Sequence, residues 1–168
     1  MGEETKEVLL LALPVGIGAT IVMDLVGIFR GKVLKQPAAD YGLVGRWLGH
    51  MPRGIFVHRP IGKSPPVAGE RIIGWAAHYL TGIAFAAILL ALFGAQWARH
   101  PTLLPAAMVG VGSLAAPFLL MQPGMGQGIA ARLTPKPWPA RARSLITHLS
   151  FGLGLYAAGR LTAALTAQ

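Results

Sequence analysis

The sequence predicts an all-α membrane protein, with four transmembrane helices in a bundle and a short interfacial helix in the first cytoplasmic loop. Three observations predict it. Hydrophobic residues make up 54% of the chain and charged residues only 12%, about half the charged share of a soluble domain. The mean hydropathy is +0.55, where soluble chains usually fall below zero. Four apolar runs each approach the ~20 residues that carry a helix across a bilayer. A soluble fold of 168 residues has too little interior for that much apolar surface, so lipid must solvate part of it. At this length the chain reads as a single membrane domain, 1–168.

The first run is 8–29. It follows Glu3, Glu4 and Glu7, which are the wrong sign for the basic start of a signal peptide, and it is too long for a signal's apolar core. It therefore reads as a retained helix. Pro14 predicts a kink in it, not an end. The connection 30–71 has content of its own. Asp40 is placed to cap a short helix in which Tyr41, Val44, Leu48 and Met51 recur at helical spacing beside Arg46 and Trp47, as an interfacial helix requires. Pro52, Pro60, Pro65 and Pro66 then keep the chain irregular. The second run is 72–93. The third, 103–122, holds Pro105 and Pro117, and the fourth, 144–165, follows a second connection, 123–143. The runs are continuous and lack the inside–outside alternation of a β-barrel. Small residues recur four apart at Ala106 and Gly110, Gly112 and Ala116, and Gly154 and Ala158, the spacing that lets helix backbones approach closely in lipid.

Net charge is +9, but no recognition motif for nucleic acid accompanies it, and nucleic acid is excluded as a partner. The basic residues instead sort by connection. Arg30, Lys32, Lys35, Arg46, Arg53, Arg59, Lys63 and Arg71 lie in the first long connection, and Arg132, Lys136, Arg141 and Arg143 in the second. Lys6, Arg99 and Arg160 lie on the other side, a bias of twelve to three. The positive-inside rule puts both connections in the cytoplasm and both termini outside. The partner this face implies is a bilayer with anionic headgroups.

Few ionisable residues fall inside the runs. Asp24 precedes Arg30 by six residues, which puts it ~9 Å along the helix axis. His78 follows Arg71 by seven, ~10 Å, and His148 follows Arg143 by five, ~8 Å. With Gln122 at the inner end of the third run, they form one polar layer near the cytoplasmic side. A carboxylate in hydrocarbon costs roughly 2.5–3.5 kcal/mol and usually finds partners in the protein interior. The leading expectation is a non-enzymatic protein, without a cofactor, that binds or helps move a small solute or ion, with proton coupling. Asp24 supplies the charge, His78 and His148 the protonatable partners, and Gln122 a hydrogen-bonding member. Four helices enclose little space for a pathway, which favours a homo-oligomer. One alternative is a metal- or haem-binding redox protein or enzyme, with haem between His78 and His148, or a metal on Asp24, His78 and His148. Another is a structural or assembly role, in which polar pairs only fix helix packing.

Other motifs lead nowhere. The chain has no cysteine, which removes thiolate chemistry. Gly62-Lys63-Ser64 resembles the end of a phosphate loop but lacks the earlier glycine, Val57 standing in its place. Gly124, Gly126 and Gly128 read as a flexible exit from the third helix. Ser113 has no base near it in sequence, and His50, His58 and His100 read as interfacial or solvated. A short internal echo pairs Gly16-Ile-Gly-Ala with Gly110-Val-Gly-Ser, and His78 and Gly82 with His148 and Gly152, the pattern of a duplicated helical hairpin.

Three stretches carry a family resemblance: Asp40-Tyr-Gly-Leu-Val-Gly-Arg-Trp-Leu-Gly-His, Gly69-Glu-Arg-Ile-Ile-Gly-Trp-Ala-Ala-His-Tyr and Pro117-Phe-Leu-Leu-Met-Gln-Pro-Gly-Met-Gly. Together they resemble a family of small bacterial inner-membrane proteins, Domain of Unknown Function 2938, and the resemblance runs from Pro14 to Tyr156. It implies a multi-pass protein of the bacterial inner membrane and supplies no catalytic residues. Its motifs draw attention to Glu70, Trp75, His78 and Gln122, so Glu70, Trp75 and Tyr79 stand as secondary site candidates.

Overall fold

The computed structural model describes residues 2–36 and 39–166, and among them every regular element is helical. The principal helices are α1 (Glu3–Val33), α2 (Tyr41–His50), α3 (Glu70–Phe93), α4 (Gln96–Arg99), α5 (Leu103–Gly112), α6 (Gln122–Gly124) and α7 (Pro137–Thr166). Short 3-10 turns and one π-helical stretch, Ala116–Met121, lie between them.

Three segments, not the expected four, are long and apolar enough to cross a membrane: Thr5–Val33, Glu70–Phe93 and Leu103–Gly124. Only 28%, 22% and 28% of their most apolar windows are buried inside the protein, so most of their apolar surface faces outward. The fourth expected span, α7, falls outside this set by composition, not by length. Its 30 residues give ~45 Å of helix, ample length. Ser144, Thr147, His148, Ser150 and Arg160 dilute its apolar content. The third segment also differs from a plain helix. α5 ends at Gly112, and the chain resumes as the π-helical stretch around Pro117, which lacks an amide N–H to keep the ordinary ladder. Pro14, by contrast, is carried inside an unbroken α1.

The chain divides into two compact units. One comprises Met1–Pro37, Tyr79–Ser113 and Thr147–Gln168, and the other Ala38–His78 and Leu114–Ile146. The core of the first unit is built from Ala12, Val15, Ala19, Leu89, Leu90, Trp97, Ala106, Phe151 and Leu155. Glycines bring its helices together. A methyl group on Gly16 of α1 would lie 2.5 Å from the Ile83 Cα of α3, and one on Gly82 of α3 would run into the Thr20 hydroxyl. A methyl on Gly110 of α5 would lie 2.6 Å from the Gly152 Cα of α7, and one on Gly154 of α7 would lie 2.7 Å from the Ala19 carbonyl. The glycines of the internal echo, Gly16 with Gly82 and Gly110 with Gly152, are therefore the ones that meet. At the α3–α5 turn, Gly94 takes a φ of +79°, a backbone conformation that suits glycine. Arg99 beyond it pairs with Glu7 at the start of α1, 2.5 Å away.

In the second unit α2 forms where the sequence places it, with the Asp40 carboxylate accepting from the Gly42 N–H at 2.9 Å as an N-cap. α2 crosses the start of α3 through Gly45 and Gly74. A Cβ on either would overlap a backbone carbonyl, of Glu70 or of Tyr41 respectively. The glycine-rich stretch after the third segment is not a loose exit. The His58 N–H donates to the Gly124 carbonyl at 2.8 Å and the Ile61 N–H to the Met125 carbonyl at 3.1 Å. Gly124 itself packs against the Trp47 indole.

Candidate functional site

The four residues of the expected polar layer fall in two units. Asp24 and His148 belong to the first, and His78 and Gln122 to the second. Each has partners within its own unit.

Asp24 lies within the α1 apolar segment, nearer its C-terminal end, and is half-buried. The Tyr79 hydroxyl of α3 donates to its Oδ2 at 3.1 Å. A phenol is well suited to this place, because its ring packs in an apolar setting while its O–H reaches a polar partner.

His148 of α7 is half-buried, and its Nδ1 lies 2.6 Å from the Oγ of Ser113, which is fully buried. Sequence spacing gave Ser113 no base, and the fold supplies an imidazole. The hydroxyl proton, however, is already committed, because Ser113 Oγ donates to the Gly110 carbonyl at 2.6 Å. A hydroxyl has one proton to give. The arrangement that satisfies both contacts has His148 Nδ1–H donating to Oγ. Ser113 is then a relay between an imidazole and a backbone carbonyl, not a nucleophile activated by a base. Beside this pair, Arg30 of α1 reaches the Thr147 hydroxyl at 3.3 Å and the Gln36 amide oxygen at 2.6 Å.

In the second unit His78 lies in an aromatic cluster. Its ring stacks on Tyr41 with centroids 4.1 Å apart, and Trp75 packs on both, 4.6 Å from Tyr41 and 5.7 Å from His78. Gln122 is buried. Its Nε2 donates to the Ser144 hydroxyl at 3.4 Å, and its Oε1 has no hydrogen-bond partner among the described residues. Glu70, expected as a secondary site residue, is gripped by Arg46 through two parallel hydrogen bonds of 2.8 and 2.7 Å and also accepts the Val67 N–H at 2.9 Å. The carboxylate holds the Arg46 guanidinium still further above its already high pKa. This arrangement fixes the entry of α3 against α2.

Sequence reasoning placed His50 and His58 at the interface or in solvent, and the structure overturns that. Both are buried, 4% and 5% exposed, and their ring centroids lie 5.1 Å apart with the planes inclined at 64°. Burial, and secondarily the neighbouring His50, pushes His58 below the usual imidazole range. His100 is exposed. The available signal was the pair of histidines bracketing a turn that opens a proline-rich connection. Among the described residues, no three histidine, aspartate or glutamate side chains are grouped to hold a metal ion.

The profile of one protein family, described as Protein of unknown function (DUF2938), matches residues 13–162. The chain belongs to the DUF2938 family. That match takes in Asp24, Glu70, His78, Ser113, Gln122 and His148, and the paired histidines His50 and His58. No curated protein and no solved structure matches the chain. Roles for Asp24, His148 and the other polar residues of this DUF2938 member therefore rest on their chemistry.

Proposed function

We propose that this DUF2938 protein is a multi-pass inner-membrane protein that binds, or helps move, a small cation or polar solute in exchange with protons, without catalysing a reaction. The observation that carries this reading is the Asp24–Tyr79 hydrogen bond of 3.1 Å between two apolar helices. A carboxylate at that depth is costly, and a carboxylate can accept a proton or hold a cation. His148, tied through Ser113 to a backbone carbonyl, is the protonatable group of the same unit. His78 and Gln122 of the second unit are proposed as further polar members.

In this reading α7 also crosses the bilayer, giving four spans. Leu145, Leu149, Leu153, Leu161 and Leu165 are exposed along it, as a lipid-facing stripe would be. The basic connections face the cytoplasm and its anionic headgroups, both termini lie outside, and copies associate as a homo-oligomer.

Carbodiimide labelling of Asp24 in proteoliposomes tests the reading. A protonated carboxyl in an apolar setting reacts, and an ion that occupies the site protects it. Labelling that falls with rising pH, is protected by one particular cation or solute, and vanishes in Asp24→Asn is the expected result. Labelling unaffected by any of them, with Asp24→Asn folding normally and retaining the cellular phenotype, would reduce the pair to helix packing.

A further inference from the structure

Two histidines that have no part in the proposed solute site are buried together in the second unit, and each has one ring nitrogen without a hydrogen-bond partner among the described residues. On His50 of α2 the Nε2 lies 3.0 Å from the Pro65 carbonyl. A carbonyl only accepts, so Nε2 carries the proton, and Nδ1 is a lone pair buried without a partner. On His58 the Nδ1 lies 2.7 Å from the Ser64 hydroxyl, and the Nε2 is buried without a partner. The two rings stand 5.1 Å apart with their planes at 64°.

Unpaired polar atoms in a buried site cost on the order of 1–3 kcal/mol each, and two on adjacent rings ask for a shared explanation. The pattern on each ring is that of a metal ligand. One nitrogen is tied to an outer partner, a backbone carbonyl for His50 and a hydroxyl for His58, and the other is left to coordinate. The spacing fits as well. A metal ~2.0 Å from each nitrogen lies about 3 Å from each ring centre, and a 5.1 Å ring separation then closes with a roughly tetrahedral angle at the metal. The backbone holds His58 in place, through its N–H to Gly124 at 2.8 Å and the close approach of Gly126 to its carbonyl.

The geometry points to a two-histidine site for a nitrogen-preferring transition-metal ion, zinc(II) or copper(I), on His50 Nδ1 and His58 Nε2. Among the described residues no third histidine, aspartate or glutamate completes it, and the chain has no cysteine. The remaining positions therefore belong to water or to an incoming ligand, as in open metal sites. Hard, oxygen-preferring ions such as magnesium and calcium are disfavoured by the ligand type.

The test uses the full chain in detergent micelles, loaded with zinc(II), or with copper(I) under a reductant, and passed through gel filtration against a weak competing chelator. Retention of one ion per chain is expected, and the ion retained names the metal. His50→Asn or His58→Gln should abolish retention, and Ser64→Ala should weaken binding about 10–100-fold through the outer partner. His100→Ala should change nothing. If the ligand variants do not fold, X-ray absorption on the metal-loaded His78→Ala, His100→Ala, His148→Ala triple variant decides instead, and two imidazole nitrogens at the metal are expected there. No retained ion in the unaltered chain, or fewer than two imidazoles at the metal, overturns the proposal.

Discussion

Tyr79 and Asp24 are joined by a hydrogen bond of 3.1 Å, so the two apolar helices that carry them are tied at one polar point. Tyr79→Phe keeps the ring and removes the donor. It is expected to lower stability by about 0.5–1.5 kcal/mol, as interhelical hydrogen bonds in lipid usually do. Asp24→Asn keeps an acceptor and should cost less than Asp24→Ala. Thermal unfolding of the three purified variants in one detergent checks the order.

The α2–α3 crossing has no room for a methyl group. Gly45→Ala and Gly74→Ala each drive a Cβ into a backbone carbonyl, which cannot rotate aside as a side chain would. Each is expected to destabilise the second unit by at least the 1–3 kcal/mol typical of overpacking. Gly62→Ala, where nothing lies within 4 Å of the added carbon, should be mild. Protease resistance of the 38–78 region separates the cases.

Arg46→Lys tests the geometry of an ion pair apart from its charge. Lysine keeps the charge but cannot form two parallel hydrogen bonds to one carboxylate. The Tm should fall, and by more than for Arg53→Lys, since Arg53 is exposed. Equal shifts would mean that the paired bonds contribute nothing beyond charge.

Ser113→Ala leaves the His148 Nδ1–H facing a methyl group in a half-buried setting. The expected loss is about 0.5–1.5 kcal/mol, the net worth of a typical hydrogen bond. If instead Ser113 were a nucleophile, the variant would fold as well as the parent and lose only an activity. Chemical denaturation of both proteins distinguishes the two.

His58 gives the fold a pH dependence of known sign. Its pKa is lowered in the folded state, first by burial and then by His50. The unfolded chain, with an ordinary imidazole near pH 6.5, therefore binds more protons in the window below that value. Stability from this group is fully present above about pH 6.5 and is lost as pH falls through the lowered folded value. Metal-free protein should show a falling Tm across that window, and His58→Gln should flatten the slope.

The long elements were legible because apolar runs report helices directly. α1, α2 with its Asp40 cap, and α3 lie within a few residues of where periodicity and capping chemistry put them. The break after Gly112 was hidden, because Pro117 in an apolar run signals a kink without saying whether the helix continues as π or α. α7 was read as a span from its leucines, while Ser144, Thr147, His148 and Ser150 weighed against it. The pairings were not legible at all. Depth along an axis puts Asp24, His78 and His148 at one level, but rotation about each helix decides what each side chain meets, and spacing did not name Tyr79 beside Asp24, Tyr41 beside His78 or Ser113 beside His148. His50 and His58 were misjudged because a proline-rich connection looks solvated, whereas the Gly124–Gly126 stretch packs on the backbone of this one and both histidines are buried.

The matched glycine contacts, Gly16 with Gly82 and Gly110 with Gly152, give the molecule an internal replicate. Gly16 and Gly110 meet a neighbouring backbone Cα at nearly the same distance, 2.5 and 2.6 Å from an added methyl, so at these positions one half serves as the control for the other. Libraries randomised separately at Gly16 and at Gly110 should return the same short alphabet of tolerated residues, and a divergence between them would mark the half on which function, and not packing, places its own demand.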